Sequence, residues 1–316
     1  MALANRRKWI AVKLEGTKGT IATVAAADAK ILAYDVDIQP SVEFEQREAA
    51  GFGGGTASAV PGTHLGRATF SVMVRGSGTT DTLPAWHTCL LACGFKVDDG
   101  DATKLIRQNS IATQKTVTIG VWMDGKRKSL HGAVGNVTFS GTVGQMVRAQ
   151  FEFVGIYNVA TDETRPAEIA HEATIPPRFA SSVFSFGAYV PAISQFEINL
   201  NNQTEVIPGH TTASGLAYGF VTMGIPTLSC DPLQTLVATE DIEGKWIAGT
   251  EVVFAMELGS AANNEFEIDG PKLQYINPQA GDRNGLSIYQ LEAQFNSSIT
   301  NGDGEDDISF SFPSTT

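Results

Sequence analysis

Apolar and polar residues alternate along much of this chain with the period of two that puts every second side chain on one face of a strand. One such run extends from Ile31 to Glu48 through Tyr34, Val36, Ile38, Val42 and Phe44, with Pro40 as a bend or bulge. In Arg67–Arg75, Ala68, Phe70, Val72 and Val74 share one face while Thr69, Ser71 and Met73 take the other. Three more strands are predicted over Thr116–Met123, Ser129–Ser140 and Met146–Tyr157. Asp124-Gly125, between the first two of these, signals a tight hairpin because glycine tolerates positive φ. A helical pattern occurs over Leu83–Gly94, with Pro84 in the first turn, Leu83, Trp86, Leu90 and Leu91 on one side, and Gly94 as a stop. A helix so short and apolar is expected to cap the open face of a sheet sandwich.

The order then recurs. Ala192–Asn202 (AISQFEINLNN) resembles Pro40–Glu48 (PSVEFEQRE), Leu216–Cys230 takes the place of Arg67–Arg75, and Asp231–Thr239 (DPLQTLVAT) stands where the helix was. Glu251–Leu258, Glu265–Ile276 and Leu286–Phe295 echo the last three strands of the first half. Identity between the halves is low, so the repeat rests on order and spacing. Residues 161–178 (TDETRPAEIAHEATIPPR) are polar, acidic and proline-bearing, and read as a linker between a first domain, 1–160, and a second, 179–316. The expected fold class is mainly β: two tandem β-sandwich or barrel domains, each with a short flanking helix.

Ala49–Gly66 (AAGFGGGTASAVPGTHLG) is a long loop of glycine and small residues, and Thr204–Gly215 (TEVIPGHTTASG) occupies the same point of the second half. Loops of that length in a compact domain tend to be functional or disordered. Two at equivalent points suggest ordering against a neighbouring subunit, which makes Gly51, Phe52, Gly53, Gly54, Gly55, Pro61, His64, Pro208 and His210 contact candidates.

Composition narrows the function classes. With 42% hydrophobic and 18% charged residues among 316, the chain can bury a sizeable core. No apolar run reaches the roughly 18 residues of a membrane-spanning helix. Lys13, Glu15 and Lys18 interrupt the segment behind Arg6, Arg7 and Lys8, so a secretory signal is not expected. Three cysteines, Cys89, Cys93 and Cys230, fit a reducing compartment better than a disulfide scaffold. Residues 1–160 hold 17 Lys and Arg against 13 Asp and Glu, residues 161–316 hold 5 against 21, so a half at +4 is joined to a half at −16. Such asymmetry suits subunits that meet basic surface to acidic surface, and a half so poor in cations is ill suited to gripping phosphates.

Candidate chemistry is sparse. Gly51–Thr56 is followed by no Gly-Lys-Ser/Thr and no helix start, which a phosphate cradle needs. His87, Cys89 and Cys93 lack a fourth zinc ligand and sit among Leu90, Leu91 and Phe95, so core packing is the expectation. Asp98, Asp99 and Asp101, and Asp303, Glu305, Asp306 and Asp307, lack the spacing of a calcium loop and read as solvated turns. Asn136-Val137-Thr138 falls within a predicted strand and is set aside as a glycosylation acceptor. The five histidines sit in separate segments with no nucleophile elbow nearby, so no enzyme, catalytic residue, metal or cofactor is expected.

The stretch TVTIGVWMDGKRKSLHGAVGNVTFSGTVGQMVRAQFEFVGIYN, Thr116–Asn158, resembles the closing strands of the tail tube proteins of long-tailed bacteriophages. Its hairpin has an exposed tip, and a Gly-Asn-Val-Thr-Phe strand, a polar loop and a Phe-x-Phe-x-Gly strand follow. The similarity covers Ile31–Asn158, and the second half joins it through its layout. The resemblance implies a helix-flanked β-sandwich whose sheet joins those of its neighbours in a barrel around a channel. Two such domains in one chain imply a homotrimeric, pseudo-hexameric ring, stacked into a tube through which DNA is ejected without specific binding. Implied partners are other copies of the chain and the terminator, tape-measure and distal tail proteins. The implied location is the virion tail, after assembly in the host cytoplasm. Asp124, Gly125, Lys126, Arg127 and Lys128 are then candidate contacts at the hairpin tip, and Asp35, Asp37, Glu43 and Glu45 candidate lumen-lining acids. Two other readings are a related tail component, such as a terminator or distal ring protein, and a β-sandwich binding module. The second predicts aromatic clusters on loops, whereas Trp9, Trp86, Trp122 and Trp246 fall in or beside predicted elements.

Overall fold

The computed structural model describes residues 8–47, 56–108, 110–167, 169–297 and 305–313. It is mainly β, and among these residues fifteen strands hydrogen-bond into one antiparallel sheet. The first half contributes β1 (Lys8–Leu14), a 3-10 turn (Ala26–Ala29), β2 (Ala33–Arg47), β3 (Ala57–Met73), α1 (His87–Ala92), β4 (Phe95–Val97) and β5 (Lys104–Arg107). It closes with the meander β6 (Val117–Met123), β7 (Lys126–Thr142) and β8 (Arg148–Asp162). The second half runs β9 (Val183–Phe186), β10 (Gln195–Asn199), β11 (Gln203–Pro208), β12 (Leu216–Met223), β13 (Thr227–Cys230) and α2 (Ile242–Ala248). Its own meander is β14 (Glu251–Leu258), β15 (Phe266–Arg283) and β16 (Leu286–Phe295), and β17 (Ser309–Ser311) ends the described chain.

Pairing follows one order twice. In the first half the neighbours are β2-β3-β8-β7-β6-β1, and in the second β10-β13-β16-β15-β14-β9. Each half thus has an outer strand, a hairpin, a helix and a meander, in that chain order. The hairpins correspond in detail. Pairing of β2 with β3 slips between Tyr34 and Asp37, where Asp35 adopts φ 53°. At the matching place the second hairpin breaks between β10 and β11, with Asn201 at φ 49°. Beyond each break a two-stranded arm projects: β2 with β3 from Asp37 and Thr69 outward, and β11 with β12.

Among the described residues two strand pairings join the halves. The end of β7 pairs with β10, Thr138 to Asn199 through Thr142 to Gln195. Strand β17 lies between β15 and β5, with Phe310 paired to both Ile268 and Leu105. Aromatic side chains fill the space between: Phe310 packs on Phe95 at 4.9 Å and Phe139 at 5.1 Å, and Trp86 on Phe266 at 5.7 Å and Phe312 at 5.3 Å. One core cluster therefore runs through both halves.

Several sequence expectations are corrected here. The described part of the long loop, residues 57–66, is strand: Val42 pairs with His64 and Phe44 with Pro61, and Pro61 lies where β3 has β2 alone beside it. No second ladder there needs the missing proline N–H. Residues 231–239 form no helix, because Asp231 is pinned to Ser194 and Gln195. The helix comes later, where the Asp241 carboxylate caps Gly244 N–H at 2.8 Å and Gly249 ends it at φ 65°. Residues 163–178 are not a free spacer: Glu172 accepts from Ala85 N–H at 2.6 Å, Arg75 donates to Thr174 O at 3.1 Å, and Arg165 stacks over Trp9. The terminal acids are not all solvated, since Asp307 is buried against Arg107 at 2.7 Å and Glu305 pairs with Lys96 at 2.8 Å.

Because Phe310 is fully buried and touches rings from both halves, Phe310→Ala is expected to cost about 3–5 kcal/mol. Urea denaturation of the variant should show this as a lowered midpoint.

Candidate functional site

A polar sheet face crosses the seam without interruption. Paired residues on neighbouring strands share a face, so the ladders define rows. One row reads Arg148, Ser140, Glu197, Ser229, Glu292, Asn277 across β8, β7, β10, β13, β16 and β15. The next reads Tyr34, Ser71, Gln150, Thr138, Asn199, Thr227, Gln294, Gln274, from β2 to β15. Their immediate neighbours along each strand, such as Phe139, Ala149, Phe151, Ile198, Leu228 and Ala293, are fully buried. Alternation thus sorts a dry inner side from an outer surface of amides and hydroxyls. Its charges are partly neutralised in place: Arg67 pairs with Glu152 and Arg148 with Asp35.

Asp231 fixes one end of this face. Its carboxylate accepts from the N–H of Ser194 at 2.7 Å and of Gln195 at 3.0 Å, from the Ser194 hydroxyl, and from Arg283 at 2.7 Å. Burial pushes this carboxyl up, but the hydrogen bonds outweigh it and hold it below the usual range.

Among the strand edges left open in the described residues, two correspond to the two sides of the seam. The outer edge of β2 has β3 alone as partner, and the far half of β15, from Tyr275 to Arg283, pairs with β16 alone. The equivalent edges of the other halves are β10 and the end of β7, and these bond to each other.

The β11–β12 arm lies over the first half. Asn202 at its base donates to Cys93 O at 2.8 Å and Gly135 O at 3.0 Å, and Gln114 exchanges two hydrogen bonds with the Val221 backbone. Glycines permit the contact: a Cβ on Gly19 would sit 2.1 Å from Ala217 O, and one on Gly219 2.7 Å from the Val134 side chain. Glu15 holds this seat together from beneath. Its buried carboxylate accepts from Gly19 N–H at 2.8 Å, Gly132 N–H at 2.7 Å, Thr116 at 2.6 Å and Thr118 at 2.8 Å.

The candidate residues fall as follows. Gly51, Phe52, Gly53, Gly54 and Gly55 lie outside the described residues. Pro61 and His64 are in β3, and His64 N–H donates to Ser214 O at the tip of the other arm, 3.4 Å away. Pro208 ends β11, and His210 is exposed in the turn that follows. Asp124 and Gly125 form the hairpin turn, at φ 46° and 93°. Behind it Arg127 stacks on Trp122 and pairs with Glu163 at 3.0 Å, Lys128 reaches Ile38 O at 3.4 Å, and Lys126 pairs with Asp162 across the ladder. Arg127 and Lys128 are thus engaged within the chain. Asp37 stands beside Thr69 and Glu152 on the polar face, whereas Glu43 and Glu45 ride on the arm. Sequence reading missed Glu152, Glu197 and Glu292, although each alternates with buried residues in QFEF, QFEIN and QLEAQF. Cys89 and Cys93 are wholly buried with their thiols pushed up by burial, and His87 contacts Pro84 O through Nδ1.

A second acidic group lies near β17. Glu257, Glu267, Ser311 and Lys104 form a row across β14, β15, β17 and β5, with Asp269 two residues along. Burial first, then repulsion from Asp269, Glu257 and Glu265, pushes the Glu267 carboxyl up to about 7 despite the pull of Lys104.

Glu15→Ala should leave four donors without an acceptor and lower stability by about 3 kcal/mol, read from chemical denaturation. For Glu267 the folded state binds its proton more tightly than the unfolded chain, so stability falls as pH rises from about 4.5 to 7. Glu267→Gln should therefore melt a few degrees higher than the parent at pH 8 and lose that advantage near pH 5.

No protein-family model matches the chain and no curated protein matches its sequence. The reading of function accordingly rests on the polar face, the open edges and the arms.

Proposed function

We propose that the chain is the structural subunit of a bacteriophage tail tube. In this reading its halves are two tandem tail-tube-like domains, each flanked by a short helix, and three chains close into a pseudo-hexameric ring. The observation that carries it is the seam: β10 of the second half extends the sheet of the first through β7, while the corresponding edges, β2 and the far half of β15, stay open. A second copy can satisfy the open edges in the way the chain satisfies its own, and unpaired edges of this length favour such addition. Head-to-tail addition closes when the rotation per chain divides a full turn.

The polar face supports the same reading as the lining of a channel. Gln150, Thr138, Asn199, Thr227 and Gln294 can hydrogen-bond water, and Glu197 and Glu292 repel phosphate. The cations there, Arg67 and Arg148, are held by Glu152 and Asp35. DNA crossing such a surface meets little that grips it. The other tail proteins at the two ends of the tube are the remaining proposed partners, and the virion tail is the proposed location.

Electron microscopy of the purified chain at rising concentration tests the proposal. Hollow tubes of uniform width with three-fold or pseudo-six-fold end views are expected. Finite rings that never stack would favour a terminator or distal ring protein. Dispersed monomers at all concentrations, with and without tail-tip extract, would remove the tube reading.

A further inference from the structure

The helix of the second half leaves apolar side chains in water that the helix of the first half does not. In α1 and the residues after it, Leu91, Ala92 and Cys93 are buried. In α2 and the start of β14, Ile247 is 81% exposed, Val253 55% and Trp246 40%. Val190, on the turn after β9, is 69% exposed beside them. Val190 and Val253 border a hollow of about 410 Å³ together with Gly187, Glu240 and Lys245.

Repeat geometry says what belongs there. Gly19 and Gly187 each follow the outer strand that pairs with the first strand of the meander, and each has positive φ, 72° and 62°. At Gly19 the β11–β12 arm closes to backbone contact through Ala217 and Tyr218, and Gln114, just ahead of β6, binds Val221. At Gly187 nothing lies within 4 Å of a built Cβ, and the start of β14 is bare. The first half has an occupied arm seat, and the second has the same seat empty.

We infer that the surface of Gly187, Val190, Trp246, Ile247 and Val253 is the docking seat for the β2–β3 arm of a second copy of this chain. This rests on the reading of the chain as a self-assembling subunit, and names the surfaces that meet. Within one chain the arm that follows the seam strand β10 crosses to the seat of the preceding half. Continuing the same rotation takes the arm that follows β2 onto the seat beside β15 of the next copy. The arm carries apolar side chains to match: Phe44 is 61% exposed and Val60 47%.

The test uses the full chain. Ile247→Asp combined with Val253→Asp changes exposed positions, and circular dichroism with a melting curve checks that the fold is kept. Sedimentation should show the concentration for assembly raised about tenfold or more, and Phe44→Asp should do the same from the other side. In parallel, Phe44→Cys and Val190→Cys chains are treated with a short bismaleimide, the native cysteines being buried. Cross-linked dimers are expected from the mixture and not from either variant alone. Normal assembly of the Asp variants together with absence of the mixed cross-link would overturn the arm seat while leaving tube formation standing. Failure of the parent chain to assemble would count against the tube reading. Even then, a mixed cross-link at high concentration would sustain the seat, and its absence would remove it.

Discussion

The structure hangs on one requirement: every buried backbone N–H and C=O must find a partner. At the β7–β10 seam that requirement is met by joining two half-sheets into one, five residue pairs long. Without the seam each half would end in an open ladder over an apolar layer, with Phe139 and Ile198 at its border. The seam also sets the side of everything else. Because alternation has a period of two, fixing Thr138 opposite Asn199 places Ser140, Glu197 and Ser229 in one outward row and Phe139, Ile198 and Leu228 in one inward row.

Polar knots then fix what the ladder leaves loose. Asn202 ties the arm base to α1 and β7, Asp231 ties the approach to β10 to the β15–β16 hairpin, and Glu15 supports the glycines under the arm. Each places a charged or amide group where several backbone donors or acceptors converge. Their value lies in specificity, because an apolar substitute would leave those backbone groups unpaired. The aromatic cluster around Trp86, Phe139, Phe266 and Phe310 brings rings from both halves into contact. Neither half is therefore sealed without the other's contribution.

Legibility in the sequence followed periodicity. The meander strands were readable because buried and exposed residues alternate there without interruption, as in AQFEF of β8 and QLEAQF of β16. Strand β1, KWIAVKL, is weighed in the sequence only as a secretory signal, which its charges exclude, and β9 and β17 are too short to show a period. The α2 position was misplaced because Asp231–Thr239 has helical-looking apolar spacing, while IEGKWIA carries a glycine inside it. Its real markers were the Asp241 cap and the Gly249 stop. The arm strand of β3 hid in a Gly-Ala-Ser segment, since two-stranded ribbons outside the core need no apolar alternation. Acids on the polar face were missed for the opposite reason: attention to β2 passed over Glu152, Glu197 and Glu292, each of which stands between buried neighbours.

Duplication within one chain changes how a ring can be tuned. Where two repeats share a chain, every second seam forms during folding, at the high effective concentration of a tethered partner, and carries no translational cost of association. The remaining seams alone depend on concentration. Selection can then let the halves diverge, because the internal seam, closed at Phe139 and Ile198 during folding, no longer has to keep the same contacts as the external edges of β2 and β15.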